Sequence, residues 1–423
     1  MQQSCSDVAV VGGGIAGLSA AVAASGRERV TVLEGKPRLG GRALTLRRGG
    51  FCFNLGPHAL YQHGAAARVM QAWGLTLRGG RPPNAGVVLR DSETTPLPAG
   101  IWSLLRCAAL PLRAKLEVAH LLMRLPRLEC EPDASLAEWL ESTTRSVPAR
   151  QLMEMLARLT TYIHAPRRLS ARVGLSQIQL SLSGGVRYLD GGWASWVEGL
   201  SCLARRRGVK IHASSKVTSI APEASGWILR GPRLQHACRR VIIAAPPSTA
   251  CQLLGGIAPA GWLATLDALT PVRASCLTLG LRRLPNPRRR LALGFSEPTY
   301  FSAHTPYADL AAGGEVVHLV RYLSPDDEGA PVEALEAIMD RAQPGWRHDE
   351  VARHFAPRLL VTLALPAPGA DLGRPCVDVP RVRGIRIAGD WVGPEGHLVD
   401  AAVASGVAAG APTNVSNLAA GYG

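Results

Sequence analysis

The stretch VAVVGGGIAGLSAAVAAS, residues 8–25, restricts this chain more than any other. VAVV is a short, unbroken apolar run of the kind that forms a strand buried on both faces. The pattern Gly12-x-Gly14-x-x-Gly17 follows it as a turn. IAGLSAAVAAS then reads as a helix with Gly26 as its stop, and VTVLE at 30–34 is a second strand. The unit is βαβ. Its glycines have separate tasks: one permits the tight turn, one lets backbone approach a pyrophosphate, and one lets helix pack on strand. The helix start turns unpaired N–H groups and a positive dipole end toward the phosphates. Glu34 closes the second strand at the position that holds ribose hydroxyls. Strand, turn, helix and acid in this order imply an α/β, Rossmann-like dinucleotide site.

At 423 residues, 47% of them apolar, two packed domains are expected. The formal charge of +15 invites a nucleic-acid partner. However, the arginines are scattered, and the short RRR runs at 205–207 and 288–290 have no interleaved aromatic residues to stack on bases. No nucleic-acid partner is expected. Nine cysteines without a CxxC pair point to free thiols rather than a zinc site or a disulfide framework, so no metal is expected. MQQSCSD lacks the basic flank of a signal peptide, and the uncharged runs 8–26, 241–266 and 401–423 are broken by glycine, proline or small polar residues. We expect a cytoplasmic protein. The apolar, arginine- and lysine-bearing segment 101–125 is a place for peripheral membrane contact, or else a core helix pair over the active site.

After Glu34 comes GKPRLGGRALT. Gly40 and Gly41 allow a second close backbone approach, and Arg42 can meet phosphate charge. Near the other end stands GDWVGPEGHLVDAAVASG, 389–406. With GxGxxG, an acid, GGR and then Ala388, Gly389 and Asp390 before a small-residue helix, the chain resembles the FAD-dependent amine oxidase and phytoene desaturase superfamily, most closely its phytoene-dehydrogenase-like oxidoreductases. The middle segment YLDGGWASWVEGL and GVKIHASSKVTSI shares that resemblance, whereas 64–185 and 250–370 match nothing specific.

The resemblance implies a discontinuous FAD-binding domain from 1–63, 186–249 and 371–412, an α+β substrate domain from 64–185 and 250–370, and a tail at 413–423. It implies that FAD, bound noncovalently, meets Gly12, Gly14, Ala16, Gly17, Glu34, Gly40, Gly41 and Arg42. Gly56, Pro57 and His58 would pass along the flavin ring, and backbone at Val217, in a strand, would meet adenine. Gly389 and Asp390 would hold the ribityl or pyrophosphate region, and Leu398 would start a helix aimed at flavin N1 and O2.

Amine oxidases of this superfamily place a tyrosine of an aromatic cage where this chain has His397. The aromatic fraction is 5%. Both points favour a hydrophobic small-molecule or natural-product substrate oxidised at C–C, with oxygen or a quinone as acceptor. His397, His58 and Trp391 are the candidate catalytic residues. Amine oxidation at C–N and redox-neutral isomerisation are the alternatives.

Overall fold

The computed structural model describes residues 4–412 apart from 84, 91–92, 99, 108–109, 128–129 and 306. Strand Ser4–Val11 runs through the middle of a seven-stranded sheet, with Val8, Ala9 and Val10 fully buried. A strand with no polar face is stable only there. Val30–Leu33 and then Lys210–His212 lie parallel to it on one side, and Leu234–Ile243 on the other. The last strand serves two neighbours along one edge. Its first half pairs antiparallel with Gly226–Gly231, its last three residues parallel with Ile385–Ile387. Chain from 4–33, 210–243 and 385–387 is thereby joined in one sheet.

Helix Ile15–Ala24 covers this sheet and is covered in turn by Val399–Gly410. Glycine makes that contact close. A Cβ on Gly406 would stand 2.5 Å from the Ala16 carbonyl oxygen, and one on Gly410 2.4 Å from that of Ala20. The two helices therefore touch backbone to backbone, which fixes the end of the chain against its beginning.

The second sheet also has seven strands, in the order Glu350–Thr362, Val272–Leu281, Glu315–Tyr322, Thr299–Ala303, Leu291–Gly294, Val87–Arg90, Glu93–Pro96. Alternation in Glu315–Tyr322 splits its faces. Val317 and Leu319 join the cluster beneath helix Val332–Ala342, while Val320 and Tyr322 join the cluster under the helices between 101 and 161.

Segment 64–185 is helical over most of its described length, but it also holds Val87–Arg90 and Glu93–Pro96, which enter the second sheet by pairing parallel with Leu291–Gly294. Four-residue strands are too short for periodicity to separate them from loop. Val217 lies in the extended link before strand Ser219–Glu223, not in a strand, because its neighbours turn to bond the Glu34 region: the Ser215 amide donates to the Glu34 carbonyl at 2.7 Å.

Segment 101–125 folds as helices Ile101–Arg106 and Leu112–Arg124. Leu104, Ala114, Val118 and Leu121 face the core, while Trp102, Leu105, Leu112, Leu116 and Met123 are exposed. Among the described residues no helix is long and apolar enough to cross a membrane.

Candidate functional site

The three motif glycines are not equivalent. Gly12 has φ 109° and a Cβ there would lie 2.3 Å from the Ala244 carbonyl oxygen; one on Gly17 would lie 1.9 Å from that of Gly12. Both are required by the fold itself. Gly14 has ordinary extended backbone (φ −77°, ψ −179°), and the nearest atom to its virtual Cβ is the Gly40 oxygen at 3.9 Å. It borders open space. The second glycine pair closes over this spot: the Gly40 amide donates to the Gly13 carbonyl at 2.8 Å, and a Cβ on Gly41 (φ 57°) would meet only the Gly14 Cα, at 3.8 Å. Helix Ile15–Ala24 starts here with no side-chain cap and no acid in its first turn. Its first N–H groups are left for an anion. Ala16 belongs to this first turn and lies against the C-terminal helix.

Glu34 stands beside this cradle, its Oε2 accepting the Gly13 amide at 2.6 Å and its Oε1 the Lys36 amide at 2.7 Å. Val217 is buried in the core cluster that includes Val11 and Leu33, two residues beyond Ser215, whose amide bonds the Glu34 carbonyl. Arg42 reaches from the first segment to the last, donating to both Asp390 oxygens at 2.7 and 2.6 Å and to the Val361 carbonyl at 2.9 Å. Burial works to raise the Asp390 pKa, but the Arg42 charge and hydrogen bonds outweigh it and hold the carboxyl below its usual range. Gly389, φ 157°, precedes it with its amide donating to Ser405 Oγ at 3.0 Å. An uncapped helix start, paired glycine loops with open faces, and an acid at the ribose position fit a dinucleotide.

The turn before the C-terminal helix is the second half of the site. Leu398 is its N-cap, with φ 53° and no side-chain cap. Positive φ at leucine is strained and is held by its surroundings. His397 is buried and bonded on both sides. Its Nδ1 faces the Arg374 guanidinium at 3.4 Å, so Nε2 carries the proton and donates to the Thr161 carbonyl at 2.9 Å. Burial first, then the Arg374 charge, lower its pKa to about 4. Arg374 also donates to the Gly396 carbonyl at 3.0 Å, and burial lowers its own pKa to about 10. A cavity of about 220 Å³ opens at this turn between Gly396, Pro394 and Leu372 on one side and Arg172, Ser176 and Gln177 on the other.

Thr161 ends helix Val147–Thr161, and the helix end is clamped against the glycine loop. Tyr61 donates to the Thr160 carbonyl and Tyr162 to the Pro57 carbonyl, each at 2.7 Å. Gly56, φ 99°, and Pro57 therefore carry His58 along this wall. His58 stacks on Trp193 at 4.3 Å, and its pKa is lowered to about 3 by burial and then Arg42. Beyond it lie Tyr162, Tyr300 and Tyr322, with ring centroids 6.0–6.5 Å apart, and the imidazoles of His304 and His318.

The structure thus brings His58 and His397 to the same wall. Trp391 points elsewhere: it is fully buried behind the first sheet among Val11, Leu33 and Ile387, with Nε1 donating to the Ala245 carbonyl at 3.2 Å. Arg374, Thr161, Tyr162, His304 and His318 escaped the sequence reading. Only His318 left a signal, a polar residue on the Val316, Val320 and Tyr322 face of an otherwise apolar alternating strand.

The sequence profile for flavin-containing amine oxidoreductases matches residues 15–411. A Mycobacterium tuberculosis protein described as a flavin-containing monoamine oxidase, AofH, is 28% identical over 276 residues, covering 57% of this chain and 57% of that protein. The chain thus matches a little over half the length of that curated relative. Putrescine oxidase bound to putrescine superposes with TM-score 0.74 at 17% identity, covering 97% of this chain and 99% of that one. An Exiguobacterium sp. 255-15 protein described as a protoporphyrinogen oxidase gives TM-score 0.69 at 20% identity, covering 96% and 98%. At such identities the superpositions establish the fold.

Proposed function

The chain belongs to the flavin-containing amine oxidoreductase family, and from this premise we propose that it is an FAD-dependent oxidoreductase that removes a hydride equivalent from carbon in a neutral, largely apolar or natural-product substrate. The reaction is of desaturase or dehydrogenase type, with FAD held noncovalently. FAD, when bound, supplies the hydride acceptor.

The observation that carries this reading is the setting of His397. An imidazole tied to the Thr161 carbonyl and to Arg374 stands where an aromatic cage has a tyrosine, and the adjacent guanidinium repels an alkylammonium brought to the same turn. The residues along this wall do positional work. His58 and His397 stay neutral at pH 7, since their pKa values are about 3 and 4, so they orient a substrate and do not deprotonate it. The uncapped start of Val399–Gly410 directs positive dipole toward the site and favours negative charge there. Tyr162, Tyr300 and Tyr322 keep water out. Noncovalent attachment is supported by Cys276, which lies on the Val320 and Tyr322 side of its strand and whose pKa burial pushes up to about 12, out of nucleophilic range.

Amine oxidation is the second reading, favoured by the same tyrosine walls and by the names of relatives. Steady-state turnover separates the two: micellar polyenes and retinoids against an amine panel, with oxygen uptake and quinone reduction followed separately. Turnover of neutral substrates alone supports the proposal; turnover of amines alone replaces it.

Substrate entry from an anionic bilayer belongs to the proposal. Trp102, Leu112, Leu116 and Met123 are exposed beside the exposed cations Arg113, Arg124 and Arg127. Flotation with phosphatidylglycerol vesicles should be lost on replacing Trp102 and Leu116 by serine; no flotation of the parent protein would remove this element.

A further inference from the structure

Buried polar atoms need partners, and leaving one without costs the full desolvation of the group. On the second sheet, beside the tyrosine wall, two histidines break this rule. His304 is fully buried, and among the described residues neither Nδ1 nor Nε2 has a partner. His318, also fully buried, uses Nδ1 on the Thr278 hydroxyl at 3.0 Å and leaves Nε2 without a partner. The rings meet edge to face at 4.5 Å. His304 is further fixed by parallel stacking on Tyr188, with centroids 3.7 Å apart and planes 8° from parallel.

This arrangement is built. Ser302 and His318 are register partners on adjacent strands, as are Thr278 and His318. Strand pairing therefore sets the ring of His318, and Tyr188 sets that of His304, while three nitrogens have no partner among the described residues. Tyr188, on which His304 stacks, belongs to strand Val186–Leu189, which pairs with Leu60–Tyr61 just past His58, so the pair sits beside the wall that carries His58. Both rings are neutral, so they present N–H donors and lone-pair acceptors without net charge.

We propose that His304 and His318 form the subsite that recognises a hydroxyl group on an aromatic or similarly flat substrate. A hydroxyl donates to one imidazole and accepts from the other, and the Tyr188, Tyr162 and Tyr300 rings wall a flat apolar body beside it. The inference rests on the proposed reading of this wall as the place where substrate meets flavin, and it narrows the substrate class within that reading.

The test uses the FAD-loaded protein with para-cresol and toluene as probes, binding being read by equilibrium dialysis and flavin content by absorbance. Para-cresol should bind about tenfold more tightly than toluene, the size of one or two neutral hydrogen bonds. His304→Phe, which keeps the stack on Tyr188, and His318→Phe should each erase most of that preference while leaving toluene binding and flavin content unchanged. Neither ring gives up a partner for its free nitrogens, so the melting temperature of His304→Phe should stay level or rise. Equal binding of the two probes, a preference that survives both substitutions, or a marked fall in melting temperature for His304→Phe would overturn the assignment. Dialysis reads binding without turnover. A hydroxyl preference in a protein that no substrate reduces would therefore refute the proposed reaction and leave the subsite standing.

Discussion

Gly14→Ala separates the cofactor from the fold. The new Cβ meets nothing in the protein closer than the Gly40 oxygen at 3.9 Å, and φ −77° suits alanine as well as glycine. Exchanging glycine for alanine at an N-cap costs about 0.5–1 kcal/mol, and the reduced freedom of the unfolded chain returns about 0.4–1 kcal/mol. The melting temperature should therefore shift by no more than about 2–4 °C. Cofactor binding responds differently. The methyl group extends ~1.5 Å into the space where pyrophosphate approaches the helix start, a carbon–carbon bond length. Displacing the phosphates by that distance breaks about two charge-assisted hydrogen bonds worth ~1.5–3 kcal/mol each. FAD should then bind about 10²–10⁴-fold more weakly. The assay is FAD titration by flavin fluorescence quenching, paired with thermal unfolding of the flavin-free protein. Gly17→Ala is the control, because its Cβ would sit 1.9 Å from the Gly12 oxygen and should damage fold and cofactor together. A yellow Gly14→Ala protein with parental FAD affinity would refute the cradle, as would unfolding at the temperature of Gly17→Ala.

Three further outcomes follow from the packing and charge. Gly406→Ala should cost about 1–3 kcal/mol, since its Cβ would press on the Ala16 oxygen at 2.5 Å; denaturant unfolding reads the loss, and a neutral result would refute the backbone contact. Asp400 accepts the Ala66 amide at 2.7 Å at the start of helix Ala65–Ala72 but is disfavoured as a carboxylate by burial, so in thermal unfolding at pH 7 Asp400→Asn, which keeps the acceptor without the charge, should match or exceed the parent and exceed Asp400→Ala. Acid should destabilise the protein through its histidines. His397 titrates near 4 when folded, against 6.5 as the reference value, so the unfolded chain binds the proton first. Its contribution is complete above pH 6.5 and is lost as pH falls toward 4, on the order of 3 kcal/mol in all. Asp400 acts in the opposite sense: burial raises it to about 6, so it disfavours folding increasingly between pH 3.8 and 6. Unfolding of the parent and His397→Asn across pH 4–8 should show the flatter profile in the variant; parallel profiles would contradict the assigned tautomer and its cause.

What the sequence discloses here is local chemistry. Gly12, Gly14 and Gly17 between strand and helix, Glu34 at a strand end, and Arg42 after paired glycines are each interpretable from a few neighbours, because the turn and the anion site are made by contiguous backbone. The small residues of 401–410 are legible as a close-packing helix, although not which of them touches Ala16 and Ala20. The wall of histidines and tyrosines is different. His397 is defined by Thr161 and Arg374, 236 and 23 residues away, and His304 by Tyr188. Such partners are set by how two sheets and a helix end meet, and no spacing rule links them. Trp391 shows the converse. Its neighbourhood in sequence suggests the flavin edge, but Gly389 at φ 157° turns the chain so that the indole enters the core.

The central claim is hydride removal from a neutral carbon substrate at an FAD held by these loops. The direct test is an anaerobic absorption titration of the purified FAD-loaded protein, with amines in one series and neutral hydroxylated aromatics, polyenes and retinoids in another. The account predicts bleaching of the oxidised flavin band by a neutral substrate and none by amines. Stoichiometric bleaching by an amine, with the neutral series inert, would contradict it.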